Sequence, residues 1–292
     1  MDVSTLLVLD GTNLVHRAYH AMAGTDMRSS SGEPLWALHG LVNLTVKFLN
    51  TAQPTSLLVA FDAPGGCPWR RSLVPEYKAG RAKSDPALSA QLAAAPDVLA
   101  AAGIAVCQVP DWEADDIIAS AVAAASTAGA ASVAVSSDKD LHQLVDDRCV
   151  VYKPEGNWVD TNALRDKYGV DGSRWVEFAA LCGESSDNLT GVAGVGPKRA
   201  AAIIAAFDDV EDALADADAA ADALGTTVAV KLAAGADMFR RNRTVATLRR
   251  DLDIDVSSVK LSRIDPQAAR DALTAVELPA AGARLADALS AF

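Results

Sequence analysis

The chain has 292 residues, half of them apolar, enough to bury a large core in one elaborated α/β domain or two smaller ones. Its 38 acids outnumber its 26 Lys and Arg, giving a formal charge of −12, which excludes a general polyanion binder with a wholly basic surface; any nucleic-acid site must be local. Cys67, Cys107, Cys149 and Cys182 stand 40, 42 and 33 residues apart, which excludes the short paired spacings of a structural zinc site and points to reduced core cysteines.

The amino terminus, "MDVSTLLVLDG", carries an acid at position 2 and only a short apolar run, so it reads as a first strand rather than a signal peptide, and cytoplasmic residence is expected. "HRAYH" spaces His16 and His20 as i, i+4 zinc ligands, but no glutamate sits between them and no third ligand is evident, so a surface helix face is expected. "SLLVAF" is a second strand, ending at Asp62. The following stretch, "APGGCPWRRSLVPEYKAGRAKSDP", holds five basic residues against Glu76 and Asp85 and reads as an inserted basic loop or helix pair. Within it Lys78 and Arg81 fall at i, i+3 beside Tyr77, which would combine phosphate neutralisation with a ring on which a base can stack.

"IAVCQV", "SVAVS" and "CVVY" continue the strands, alternating with Ala-rich helical sequence up to about residue 180. That alternation predicts a mainly parallel, doubly wound sheet with helices on both faces, whose sites form beyond the carboxyl ends of the strands. The uncharged run from Ile117 to Ser137 raises a membrane question, but its "TAGAAS" turn and flanking acids favour helix, turn and strand. Residues 208 to 224 are rich in Ala and Asp and carry no assigned chemistry, and "FRRNRTVATLRRDL" restores positive charge near the carboxyl end.

Acids gather at the predicted strand ends: Asp10, Asp62, the group Glu113, Asp115 and Asp116 in "DWEADDIIAS", and Asp138 with Asp140 in "SSDKDLHQLV". Helix capping would explain any one of them. Seven together would repel strongly, and oxygen-only ligand sets favour hard cations such as magnesium or manganese. Two such ions about 4 Å apart can activate water and stabilise both oxygens of a phosphodiester under attack. "VLDGTN" also suggests the aspartate-nucleophile phosphatases, but Val8 stands where their nucleophile should be. "GVAGVGPKRAAAII" is an independent signal: Gly194 and Gly196 permit a tight turn, Pro197 suits a first helical position, and Lys198 and Arg199 follow where free N–H groups can hold a phosphate.

In order, "LDGTNLVHRAY", "FDAPG", "LVPEYKAGR", "EADDIIAS", "SSDKDLHQLV" and "GESSDNLTGVAGVGPKRA" resemble the motifs of the bacterial 5′-nucleases, the amino-terminal domain of DNA polymerase I and its stand-alone relatives, which are similar to flap endonucleases. The resemblance implies a PIN-like 5′-nuclease fold. It implies a nuclease core over 1–182 with a basic helical arch at about 64–92, a helix-hairpin-helix DNA-binding region over 183–250, and a carboxyl-terminal extension over 251–292 packing on the core. It places Asp10, Asp62, Glu113, Asp115, Asp116, Asp138, Asp140 and Asp187 as ligands, direct or through water, of two Mg2+ or Mn2+ ions, with Glu184 as a further candidate. It puts Lys78 and Arg81 in the arch, Arg17 near the scissile phosphate, and K+ at the hairpin carbonyls. Glu184 departs from the family, which has Asp there in "GDSSDN", and the longer side chain either alters a metal contact or only orders the loop.

The activity expected is therefore metal-dependent 5′-3′ exonuclease and flap endonuclease cleavage of DNA, in primer removal and repair, by a monomer that cooperates with a polymerase and a ligase. Two alternatives are an RNA-directed PIN-like nuclease, which the hairpin and arch disfavour, and a non-catalytic DNA-junction binder, which the retained acids disfavour because they would only repel phosphate.

Overall fold

The computed structural model describes residues 4–80 and 84–292. Its six-stranded sheet comprises β1 (Thr5–Asp10), β2 (Ser56–Ala60), β3 (Ala105–Cys107), β4 (Ala131–Val135), β5 (Cys149–Lys153) and β6 (Asn157–Val159), in the spatial order β3-β2-β1-β4-β5-β6. All neighbours are parallel except β5 and β6. The chain winds outward from β1 to β3, then returns to lay β4 on the other side of β1. The topological switch thus falls between β1 and β4, where a doubly wound sheet opens a crevice at its carboxyl edge.

Alternation along the strands sends side chains into two layers. Leu7, Leu9, Leu57 and Val59 pack against helices α1 (Gly11–Met22), α2 (Trp36–Ala52) and, beyond the short α3 (Pro68–Leu73), α4 (Pro86–Ala101). Leu6, Val8, Leu58 and Ala60 face the opposite way, toward α5 (Ala114–Thr127), α6 (Thr161–Tyr168) and α7 (Trp175–Cys182). The stretch that raised a membrane question is therefore the end of α5 with β4, and no described helix is long and apolar enough to cross a membrane.

After α7, the two-residue strands β7 (Gly183–Glu184) and β8 (Leu189–Thr190) form a small hairpin. It leads to α8 (Pro197–Ala206), α9 (Val210–Ala215), α10 (Ala217–Leu224), α11 (Thr226–Ala234) and α12 (Ala236–Ala246), whose buried Ile203 and Phe239 join the α5 layer. The last helices, α13 (Pro266–Ala275) and α14 (Pro279–Leu289), return to the opposite face and bury Leu273 and Leu285 against the α2 layer. All four cysteines are free thiols.

Where β1 becomes α1, the turn needs glycine. A Cβ on Gly11 would stand 2.5 Å from the ring of Phe61, which is itself only 2% exposed and has nowhere to go. Gly11→Ala should therefore cost about 1–3 kcal/mol by overpacking, whereas Gly24→Ala, with nothing within 4 Å, should stay within about 0.5 kcal/mol; denaturant melts of both variants check the difference.

Candidate active site

Each acid at the carboxyl edge is held by a local feature of the fold. Asp10 ends β1 and caps α1: its Oδ1 accepts from the Asn13 N–H at 2.9 Å, and its Oδ2 accepts from Ser136 Oγ at 2.7 Å, across the switch point. Asp62, just past β2, accepts from the Ala114 N–H at 2.7 Å and so caps α5. Asp138 follows β4 and accepts from the Asp140 N–H at 2.9 Å. Asp115 lies in the first turn of α5, with Oδ1 buried and no hydrogen-bond partner. Capping and convergence are thus one arrangement, because the amides that orient these carboxylates all lie around a single edge.

Asp10, Asp62, Asp115 and Asp138 line one cavity of about 480 Å3, together with Lys78, Thr12, Asn13, His16 and Ser84. Their charges are mutually unfavourable. Burial first, then Asp62, pushes Asp10 up to about 7, against the hydrogen bonds from Asn13 and Ser136. Asp115 is raised well above the carboxylate range by burial and then by Asp138 and Asp10, and Asp140 by burial and then by Asp138 and Asp187. Two like charges about 4 Å apart repel by about 4 kcal/mol at an effective dielectric of about 20. A helix N-terminus such as that of α5 returns about 0.3–1 kcal/mol. The balance calls for added positive charge.

Part of that charge comes from the chain. Lys78 Nζ donates to Glu113 Oε1 at 2.7 Å and lies 3.9 Å from Asp187 Oδ2; burial works against its charge, but Glu113 and Asp187 raise its pKa on balance. Arg70 donates through Nη1 to Glu113 at 2.6 Å and through both terminal nitrogens to Asp116 at 2.8 Å. Burial would raise Glu113, yet Lys78 and Arg70 lower it overall. Glu113 and Asp116 consequently stand apart from the cavity lining. With Cys67 they form the one trio among the described residues whose ligand-type atoms lie within 4.8 Å of one another. The Arg70 guanidinium already reaches all three, at 3.7 Å for the Cys67 sulfur, so a cation fills that position.

Several sequence expectations change here. Tyr77 is not a stacking platform: its ring is buried with Val74, Leu189 and Val245, and its hydroxyl donates to Glu113 Oε2 at 3.0 Å. Lys78 is not on a helix; it sits in a turn with φ +57°, and its N–H donates to the Asp187 carbonyl at 3.0 Å. Asn188 Nδ2 likewise donates to the Glu76 carbonyl, so Glu76 and Lys78 are both tied to the "SSDN" loop. The apolar positions Val74 and Tyr77 cause this, having a partner in Leu189. Arg81 lies outside the described residues. Arg17 is exposed on α1, 3.7 Å from Glu155. His16, expected on a surface face, lines the acid cavity; its spacing from Thr12 and Asn13 on α1 was the available signal. Arg70 and Ser136 were missed, since nothing local marks them as acid partners.

Glu184 Oε1 accepts from Ser186 Oγ at 2.8 Å, ordering the turn Ser185–Asp187, while Oε2 lies 3.9 Å from Lys139. A second cavity, of about 520 Å3, is lined by Lys139, Glu184 and Asn188 at the acid side and by Pro197 at the glycine turn. In that turn Gly194 has φ +75°, and a Cβ there would meet Lys231 Nζ at 2.7 Å; its carbonyl accepts from Arg199 Nη1 at 2.5 Å. Gly196, Lys198 and Arg199 are exposed, and nothing lies within 4 Å of a Cβ on Gly196. The four cavity carboxylates, their mutual repulsion and the orphaned Asp115 oxygen fit hard divalent ions.

Comparison with known proteins shows the family. The family model described as 5′-3′ exonuclease, N-terminal resolvase-like domain, matches residues 5–169, and that described as 5′-3′ exonuclease, C-terminal SAM fold, matches residues 170–269. The chain is 33% identical over 272 residues to the thermostable DNA polymerase I of Thermus aquaticus, covering 93% of this chain and 32% of that one. It is 33% identical over 255 residues to DNA polymerase I of Mycobacterium tuberculosis, covering 86% and 28%; it thus spans about a third of the length of these curated relatives. Among solved structures, the T5 D15 protein co-crystallised with metal ions superposes with a TM-score of 0.70 at 20% identity, covering 98% of this chain and 99% of that one. Flap endonuclease-1 from Methanococcus jannaschii superposes with a TM-score of 0.62 at 16% identity, covering 98% and 93%. With both halves of the fold matched in order, the chain belongs to the 5′-3′ exonuclease family.

Proposed function

We propose that this protein is a structure-specific 5′-nuclease that hydrolyses DNA at 5′ ends and 5′ flaps with two divalent ions, Mg2+ or Mn2+. The observation that carries this reading is the convergence of Asp10, Asp62, Asp115 and Asp138 on one cavity at the switch point, with Lys78 on its wall. These four, with Asp140 and Asp187 beside them, would hold the ions. When bound, such ions supply activated water and stabilise the attacking and leaving oxygens of the phosphodiester. Lys78 places a cation where the scissile phosphate would enter, and His16 adds a hydrogen-bonding group on the same wall. Arg17 is held by a surface pair that contributes little, so phosphate can recruit it without much loss.

The turn around Gly194 and Gly196, with Lys198 and Arg199, is the proposed grip on duplex DNA, through the backbone and without base readout. The carbonyls of that turn would hold K+, in competition with Arg199 at Gly194. The solved pseudo-enzyme-product complex of the bacteriophage T5 flap endonuclease, 21% identical with a TM-score of 0.65, contains DNA and metal ions, which supports this choice of ligands. The cellular work would be removal of replication primers and repair flaps by a monomer acting beside a polymerase and a ligase. A non-catalytic binder is disfavoured, since unused carboxylates would only repel phosphate.

Asp138→Asn and Asp140→Asn should each lower kcat on a labelled flap by on the order of 100-fold or more while leaving DNA affinity intact or tighter, because each removes a ligand and a repulsive charge. Near-normal cleavage at saturating Mn2+ would take that carboxylate out of the mechanism. Gly196→Val fits the fold, yet should weaken binding to a duplex arm by steric block; Gly194→Val should do the same and also lower Tm, as it sits at positive φ. Unchanged duplex affinity in folded Gly196→Val would make the turn merely structural. For Glu184→Ala the bond to Ser186 predicts a fall in Tm with the half-maximal metal concentration within about twofold, and metal titrations beside melting curves test it.

A further inference from the structure

Arg70 is the one fully buried Arg or Lys among the described residues, at 2% exposure, so its guanidinium cannot touch a substrate. All of its groups are engaged inside the protein. Nε donates to the Val245 carbonyl at the end of α12 (3.0 Å), Nη1 to Glu113 and Asp116, and Nη2 to Asp116. Asp116 is fully buried, and its carboxylate is saturated: Oδ1 accepts from Arg70 Nη2 and from the Arg249 N–H at 3.0 Å, and Oδ2 accepts from Arg70 Nη1. Glu113 is shared in turn, its Oε2 accepting from Arg70 and Tyr77 and its Oε1 from Lys78, which lines the acid cavity.

These contacts form a chain that runs from the segment after α12, through Asp116, Arg70 and Glu113, to Lys78 at the cavity wall. We propose that Arg70 is a positioning residue that sets Glu113, and through it Lys78, for the reaction, and that Asp116 is its anchor and not a ligand of a divalent ion. The planar, forked guanidinium pairs through two nitrogens with Asp116 while also reaching Glu113, which a single ammonium cannot reproduce, and the site holds two negative charges that burial would otherwise penalise. The inference rests on the proposed metal-centre reading and refines it, because it gives Asp116, which lies outside that ligand set, a role of its own and adds a cation that the sequence motifs do not mark.

The test uses the full chain with Arg70→Lys, Asp116→Asn, the double variant and, for comparison, Asp115→Asn. Three quantities are read: Mn2+ affinity by electron paramagnetic resonance without DNA, kcat and KM on one flap substrate, and Tm. Arg70→Lys and Asp116→Asn should keep Mn2+ affinity within about threefold, whereas Asp115→Asn loses about tenfold or more. Each of the first two should lower kcat about tenfold or more with KM within about twofold, and the double variant should be no worse than the poorer single one. Loss of Mn2+ affinity in Asp116→Asn to match Asp115→Asn would make Asp116 a ligand and overturn the proposal. So would normal kcat in Arg70→Lys with only a lower Tm, or kcat losses that multiply in the double variant. If Asp116→Asn does not fold, the kcat and Mn2+ values of Arg70→Lys decide. Failure of the unaltered protein to bind Mn2+ would sink the metal-centre reading, while the order of kcat among the variants would still judge the positioning role by itself.

Discussion

Mutual repulsion among buried carboxylates is the constraint around which this molecule is arranged. Asp10, Asp115 and Asp140 are each raised by burial and by their acidic neighbours, and no single helix N-terminus can offset that. The fold meets the constraint in three ways. Backbone amides at the starts of α1 and α5 fix Asp10 and Asp62; Lys78 brings a cation onto the cavity wall; and Arg70 neutralises Glu113 and Asp116 behind it. What remains on the cavity is a cluster of four carboxylates with a deficit of positive charge, which is the chemistry expected of a centre for hard divalent ions.

The sheet supplies the rigidity such a cluster needs. β1 lies between β2 and β4 with its side chains buried on both faces, so the ends of these strands are fixed relative to one another by ladder hydrogen bonds and by two hydrophobic layers. Carboxylates placed there cannot easily move apart to relieve their repulsion. The segments at residues 74–80 and 183–190 are tied to each other by Lys78 N–H to Asp187 and by Asn188 to Glu76, and the first brings Lys78 to the acid cavity. The glycine turn before α8 borders the cavity that Lys139 and Glu184 line from the acid side. In this arrangement the proposed duplex grip and the proposed cleavage site are neighbours in space although Gly194 follows Asp138 by 56 residues.

Charge on the whole chain is a poor guide to this protein. An acidic polypeptide can hold a local cationic strip, and here several of the strip's members turn inward. The run "PWRRSLVPEYK" reads as solvent-facing in sequence, yet Arg70 and Tyr77 are buried and Lys78 is largely so. Its apolar residues Val74 and Tyr77 find partners in Leu189 and Val245, far along the chain, and docking them carries the cations onto the acids.

Much of the fold was legible because it rests on local patterning. Five of the six main-sheet strands announce themselves as short β-branched or Leu-rich runs, and the helical sequence that follows each of the first three points to a doubly wound sheet. The carboxyl ends of those runs carry the acids, so the place of the site followed from the pattern as well. The short β6, β7 and β8 escaped because two or three residues hold no periodicity. Tertiary structure alone decided which acids share a cavity and which are spent on Arg70, since i, i+3 spacing puts Glu113 and Asp116 together but cannot say what they face. It also decided that His16 belongs to the cavity and Tyr77 to a core. A motif specifies residue types at a spacing, whereas the direction of a side chain depends on partners tens to hundreds of residues away, and only packing brings those together.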